Sequence, residues 1–183
     1  MADIVSSAIR SRMMAGIKGT NTKPELVVRR GLFRAGFRYI LHDKRLPGKP
    51  DLVFPRYRSV VFIHGCFWHC HGCALFKWPS SNVVFWRTKL SGNKKLDRRN
   101  LALLKAAGWR TLVIWECALK GPRRLATEAM IARVTGWFRG SAAASRQLAG
   151  RPRAARQASL AAIKLPSRKR SRPVTREKQR KSG

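Results

Sequence analysis

Four cysteines fall between positions 66 and 117, and Cys66, Cys70 and Cys73 share eight residues with His71. Thiolates and an imidazole are the donors that a structural zinc ion takes, four of them closing a tetrahedron. Cys66, His71 and Cys73 make such a set once Cys117 joins them, and the apolar run before Cys117 can return it to the same place. Cys70 is an alternative ligand. A closed site of this kind contributes folding free energy and does no chemistry. The competing reading is a handful of buried free thiols, although cysteine clusters in a reducing compartment favour metal over disulfides.

His64, His69 and His71 also lie within eight residues, around Phe67 and Trp68. A histidine at a strand end can act as a general base or polarise a phosphate. Taken singly, each is more often packed or ligating. Asp51 supplies context: it follows Pro50 and opens a strand that should pair with 59–64. A carboxylate so placed can hold a magnesium ion against phosphate oxygens, though a lone aspartate more often ends a turn. Acids are scarce in this chain, eight in 183 residues, and Glu25, Asp51 and Asp97 all sit near predicted element ends. That scarcity favours function.

The elements that must position these groups read as alternating helices and strands. A short helix is expected over 3–15. Thr22, Pro24 and Glu25 form a capping-box pattern that starts a helix running to about Ala35, with Gly36 closing it. Strands are expected at 38–41, 51–54, 59–64 and 110–115, with a turn at Pro47-Gly48. The apolar runs at 59–64 and 110–115 suit strands covered on both faces. Helices are expected at 82–90, 94–107 and 122–138. Strands between helices imply an α/β fold, a mixed β-sheet flanked by helices.

Charge sets the partner. Lys and Arg total 40 against eight acids, a formal charge of +32. The natural counterpart is a phosphate backbone, whose counterions are released on binding. The last aromatic is Phe138. Beyond it the chain is mostly Ala, Arg, Ser, Lys and Pro, too poor in apolar area to offset ordering entropy. Residues 1–139 are therefore read as the folded domain and 140–183 as a basic, disordered tail that binds nucleic acid without sequence preference. No segment approaches 18 consecutive apolar residues and no secretory signal opens the chain, so an intracellular, cytoplasmic protein is expected, drawn to the nucleoid by DNA and away from membranes.

Several strings together carry a specific resemblance: Leu46-Pro-Gly-Lys-Pro-Asp51, Phe62-Ile-His-Gly-Cys-Phe-Trp-His69, Phe85-Trp86, Asp97-Arg98-Arg99, and Gly108-Trp-Arg with Val113-Ile-Trp-Glu-Cys117. They resemble the very-short-patch-repair DNA mismatch endonuclease family from about Ser6 to Phe138. The resemblance implies a restriction-endonuclease-like fold and a magnesium-dependent nuclease with a structural zinc. It implies nicking of one strand of double-stranded DNA, 5′ to the thymine of a T:G mismatch left by 5-methylcytosine deamination, by a monomer that can recruit other repair proteins. In the usual nuclease of this fold an acid and a lysine follow the Pro-Asp pair; 59–64 holds neither, a departure the family shares by using histidines. Asp51 is then the magnesium ligand, with the backbone carbonyl of residue 63, here Ile63, as a second. His69 activates water, oriented by Asp97; His64 contacts the scissile phosphate; Glu25 supports metal-bound water. Phe67, Trp68 and Trp86 resemble an aromatic wedge entering the DNA beside the mismatch, where unstacking costs least. Lys89 and Asn93 match positions that read the mismatched bases. Arg12 and Met14, on the N-terminal helix, would lie against the other groove.

Two other readings keep part of this pattern: a zinc-stabilised DNA-binding protein whose nuclease site has decayed, suggested by Ile63 and the basic excess, and a related nuclease with another target. The joint presence of Asp51, His64, His69 and Asp97 weighs against the first.

Overall fold

The computed structural model describes Ile9, Arg12, Gly16, residues 19–140 and residues 145–151. Met14, most of the expected helix over 3–15, and residues 152–183 lie outside the described residues.

Helix α1 spans Lys23–Arg34 and begins as its sequence dictates. The Thr22 side chain accepts from the Glu25 N–H, Glu25 reaches back to the Thr22 backbone, and Pro24 occupies the first turn. Such a cap stabilises a helix by about 1 kcal/mol. The helix ends in a Schellman pattern, with Gly36 N–H on Phe33 O and Phe37 N–H on Leu32 O.

Five strands form one sheet in the order β1-β2-β3-β4-β5: Ile40–Leu41, Leu52–Phe54, Ser59–His64, Arg110–Trp115 and Ser145–Leu148. The first three pair antiparallel; β3–β4 and β4–β5 pair parallel. The parallel steps need crossovers, which α2 (Val83–Ala106) and α3 (Thr127–Arg139) supply. The architecture is thus a mixed five-stranded α/β sheet.

Strand residues alternate between two cores. Leu52, Phe54, Val61, Leu112 and Ile114 pack with Val28 and Leu32 of α1 and Met130, Val134 and Trp137 of α3. Val53, Val60, Phe62, Val113 and Trp115 pack on the other face with Leu101 and Leu104 of α2, beside Cys66 and Cys117.

Three expectations change. The helices at 82–90 and 94–107 are one continuous α2 of 24 residues. Gly92 costs a helix about 1 kcal/mol. Burying Leu90 and Leu104 fully returns roughly 1.5–3 kcal/mol each, so packing carries the helix through the glycine. The helix expected from 122 starts at Thr127, because 121–125 turn back to set Leu125 N–H on Ala118 O. The third change concerns the domain boundary at 139: β5 lies beyond it and belongs to the sheet. Ser-Arg-Gln-Leu is a polar edge strand with Leu148 alone buried, so it carries no apolar run to betray it.

Candidate active site and metal centre

Two sites meet at the C-terminal end of β3. The loop after it, 65–82, carries Cys66, His69, His71 and Cys73; β4 ends beside it at Trp115 and delivers Cys117 in the short 3-10 turn that follows.

Cys66, His71, Cys73 and Cys117 bring their donor atoms within 4.8 Å of one another. His71 Nδ1 lies 3.6 Å from Cys66 Sγ and 3.5 Å from Cys117 Sγ. A zinc tetrahedron with bonds of about 2.3 Å to sulfur and about 2.0 Å to nitrogen has an S···N edge of about 3.6 Å. The two measured edges therefore match that geometry, and the chemistry of all four donors suits zinc. Burial raises the thiols of Cys66 and Cys117 and lowers His71; it suits neutral sulfur or sulfur neutralised by a cation. The His71 ring stacks on Trp115 at 4.2 Å, which fixes its plane. Cys117 Sγ also accepts from the Gly150 N–H at 3.4 Å, and a Cβ on residue 150 would collide with the carbonyls of Cys117 and Arg123. Cys70, the alternative ligand, is outside this group.

The second site is a cleft of about 610 Å³ lined by Glu25, His42, Asp51, His64, His69, Asp97, Asn93, Trp68 and Glu116 among others. Its position follows from the sheet. Asp51 precedes β2, whose Leu52 pairs with Val61, so Ile63 of β3 runs past it and donates its N–H to Asp51 Oδ2 at 2.6 Å. His64 follows the parity of Val60 and Phe62 and faces the α2 side, where Asp97 sits. The His69 and His64 rings stack 3.8 Å apart and nearly parallel, at 5°. His69 Nδ1 is 2.6 Å from Asp97 Oδ2. A carboxylate accepts, so His69 carries its proton on Nδ1 and leaves the Nε2 lone pair for the hydrogen of a water.

Burial sets the charges here. It raises the Asp51 carboxyl to about 6, against the Ile63 N–H, which favours the ionised form. It lowers His64 to about 3, helped by neighbouring His69. His64 is thus a neutral imidazole near neutral pH. A buried carboxylate with one oxygen bonded and its charge poorly solvated is a good place for a hard divalent cation. Glu25 and His42 each bring a donor atom within 4.8 Å of one on Asp51, although the Glu25 oxygens already accept from Asn21 N–H, Thr22 and Arg29.

The other predicted residues fall around this cleft. Phe67, Trp68 and Trp86 are half-buried and contact each other edge to face or tilted, with centroids 5.2–6.0 Å apart. Phe76, Trp78 and Phe85 extend the cluster toward solvent. Asn93 donates from Nδ2 to the Trp68 carbonyl at 3.0 Å, tying the aromatic loop to α2. Lys89 is exposed on the same helix, and Arg12 is exposed and helical.

Three residues of the site were not anticipated. His42 stands between Glu25 and Asp51. Arg29 bonds Glu25 and Asn21; its spacing of four from Glu25 on a helix was a readable signal. Glu116 accepts the Cys66 N–H at 3.2 Å and also lines the cleft, linking the two sites.

The family described as DNA mismatch endonuclease Vsr matches residues 2–75. The DNA mismatch endonuclease Vsr of Escherichia coli (strain K12) is 41% identical over 145 residues, 79% of this chain and 93% of that protein. The type II nicking enzymes V.XorIIP of Xanthomonas oryzae pv. oryzae (strain KACC10331 / KXO85) and V.NmeAIP of Neisseria meningitidis serogroup A / serotype 4A (strain DSM 15465 / Z2491) are 45% and 47% identical. These alignments cover 65% and 66% of this chain and 88% and 86% of the two relatives. Likeness of this extent, spanning both sites, decides the family: the chain belongs to the Vsr DNA mismatch endonucleases and is a DNA endonuclease.

Proposed function

We propose that this endonuclease nicks one strand of duplex DNA on the 5′ side of the thymine in a T:G mismatch, and that the reaction depends on magnesium. The observation that carries the reading is the His69–Asp97 contact of 2.6 Å, stacked against His64 and sharing one cleft with Asp51. The names of the relatives, a mismatch endonuclease and nicking enzymes, support single-strand cleavage at a mispair.

Asp51, through the oxygen that Ile63 N–H leaves free, would hold the magnesium ion, with the Ile63 carbonyl as a backbone donor and Glu25 supporting the metal-bound water. The ion would supply neutralisation of charge on the phosphate oxygens and the leaving group. His69 takes a proton from the attacking water at Nε2, and Asp97 fixes the tautomer that leaves that nitrogen bare and stabilises the imidazolium formed. Neutral His64, beside His69, offers its ring N–H to the scissile phosphate. Zinc at Cys66, His71, Cys73 and Cys117 would hold the loop that carries His69. Phe67, Trp68 and Trp86 would wedge into the duplex, with Lys89 and Asn93 beside the mispaired bases and Arg12 and Met14 at the other groove. The basic segment from 140 would add sequence-independent attraction to phosphate, with 145–148 belonging to the sheet as well. The sheet order and the Asp51 position support a restriction-endonuclease type of fold. The buried Asp51 carboxylate, held by the Ile63 N–H at one oxygen only, and the intact His69–Asp97 pair oppose a decayed, binding-only protein.

The test is a panel of duplexes with T:G, other mismatches and none, in several sequence contexts, with and without magnesium. Magnesium-dependent cleavage of the thymine strand alone, at T:G above all others, is expected. Equal cleavage of matched duplexes, or none while T:G DNA is bound tightly, would refute the reading.

A further inference from the structure

His42 stands between two carboxylates of the cleft and has been assigned no contact to metal, water or DNA. It directly follows β1 at φ +48°, a left-handed conformation uncommon for residues other than glycine, and its N–H reaches Asp51 O at 3.3 Å. Leu41 pairs with Leu52, so the next step of the register sets His42 against Asp51. Its ring Nδ1 lies 3.8 Å from Asp51 Oδ1, and its Nε2 lies 3.7 Å from Glu25 Oε2.

Proximity alone would make His42 a third metal ligand. Arg29 argues otherwise. The guanidinium is buried on α1 and its NH2 group reaches both Glu25 Oε2, at 2.8 Å, and His42 Nε2, at 2.7 Å. A guanidinium has donors and no acceptor, and it stays charged. Nε2 must therefore be the acceptor, its lone pair is already used, and the ring proton sits on Nδ1. That N–H faces Oδ1 of Asp51, the oxygen left over once Ile63 N–H holds Oδ2. Neither ring nitrogen then has a lone pair for a cation. The same guanidinium also separates the His42 lone pair from the Glu25 carboxylate, two centres that would otherwise repel.

We propose that His42 is a positioning residue: Arg29 locks it in the Nδ1–H tautomer, and its N–H orients the free oxygen of Asp51 for the catalytic cation without coordinating it. This rests on the reading of Asp51 as the cation's ligand. Arg29, Glu25, His42 and Asp51 then form one chain of contacts from α1 to the start of β2.

Two measurements on the full-length protein test it. Two-dimensional ¹H–¹⁵N spectra of the imidazoles, recorded with no divalent cation in the cleft, should give His42 with hydrogen on Nδ1 and a bare Nε2. A proton on Nε2 overturns the proposal, whatever any variant does. The second measurement is Mn²⁺ binding without DNA, counted by EPR. His42→Leu should weaken it about tenfold, the lower end of losses seen when a ligand's outer partner is removed. His42→Gln should return affinity to within about threefold of the parent, because an amide both accepts from Arg29 and donates to Asp51. Leu and Gln fill similar space, so equal losses in both would mark a packing role or direct coordination and overturn the inference. Asp51→Asn keeps the two claims apart. If it retains Mn²⁺ affinity, the reading of Asp51 fails; if it loses affinity while His42→Leu does not, the role of His42 fails alone.

Discussion

The zinc-type cluster and the cleft share a wall, yet they are built on opposite rules. In the first, four donors of matched softness converge within 4.8 Å of one another, the number that a closed tetrahedron takes. In the second, carboxylates and imidazoles are spread over a cleft of about 610 Å³, and three of them, Asp51, His42 and His64, are held away from their ordinary ionisation. The closed set satisfies its own groups and gives stability. The open set leaves His69 Nε2 to the space where substrate must lie, and keeps Asp51 Oδ1, which the Ile63 N–H does not hold and His42 only faces at 3.8 Å, for a cation. Glu116, bonded to Cys66 N–H and lining the cleft, is where one rule gives way to the other.

That contrast breaks most sharply at Cys117. Cys117→Ser, or stripping zinc with a chelator, should unfold the domain, since zinc binding in such sites is worth roughly 10–16 kcal/mol. Circular dichroism melts read the loss; an unchanged melt would mean the four donors hold no ion. In the cleft the expected losses are in rate. His69→Ala should slow nicking about 10²–10⁴-fold, the worth of a general base, with folding intact. Single-turnover cleavage of a mismatched duplex checks it, and a loss under threefold would remove His69 from proton transfer.

Asp51 should invert the Cys117 result. Burial raises its carboxyl from 3.8 to about 6, so the ionised form is disfavoured in the folded state. For a raised carboxyl the sign is a penalty: absent below the unfolded value, growing as pH rises, and complete above the folded one. Without divalent cation, Asp51→Asn should therefore stabilise the protein at pH 7, by no more than about 3 kcal/mol, and not at pH 4. The same variant should abolish nicking. Urea melts at the two pH values decide; equal stability of parent and variant at pH 7 would deny the penalty. The smallest effect belongs to Asp97→Asn, which leaves His69 in place and loosens its tautomer, for a loss of about 10–100-fold in rate. A larger loss than that of His69→Ala would give Asp97 a direct part in the chemistry.

Local features were readable wherever a few adjacent residues decide them. The Thr22–Glu25 capping box, the apolar runs of β3 and β4, and the Cys-His set all act through neighbours in sequence or through a shared chemical demand. What failed was set by distant packing. The α2 helix ran through Gly92 because Leu90 and Leu104 are buried on either side of it. Strand β5 was invisible because an edge strand with one buried residue takes its place from backbone pairing with β4, which polar side chains permit but do not announce. His42 and Arg29 lie 13 residues apart, and neither has a motif; their partnership exists only where α1 meets the end of β1.

The sequence by itself determined the chemistry available: which donors are soft enough for zinc, which acids are few enough to matter, and a charge that seeks phosphate. Tertiary structure decided which of those groups share a point in space and in what protonation state. The reason is that a residue's type fixes what its side chain can donate or accept, whereas burial and the nearest partner, contributed by strands and helices far apart in the chain, fix whether it does.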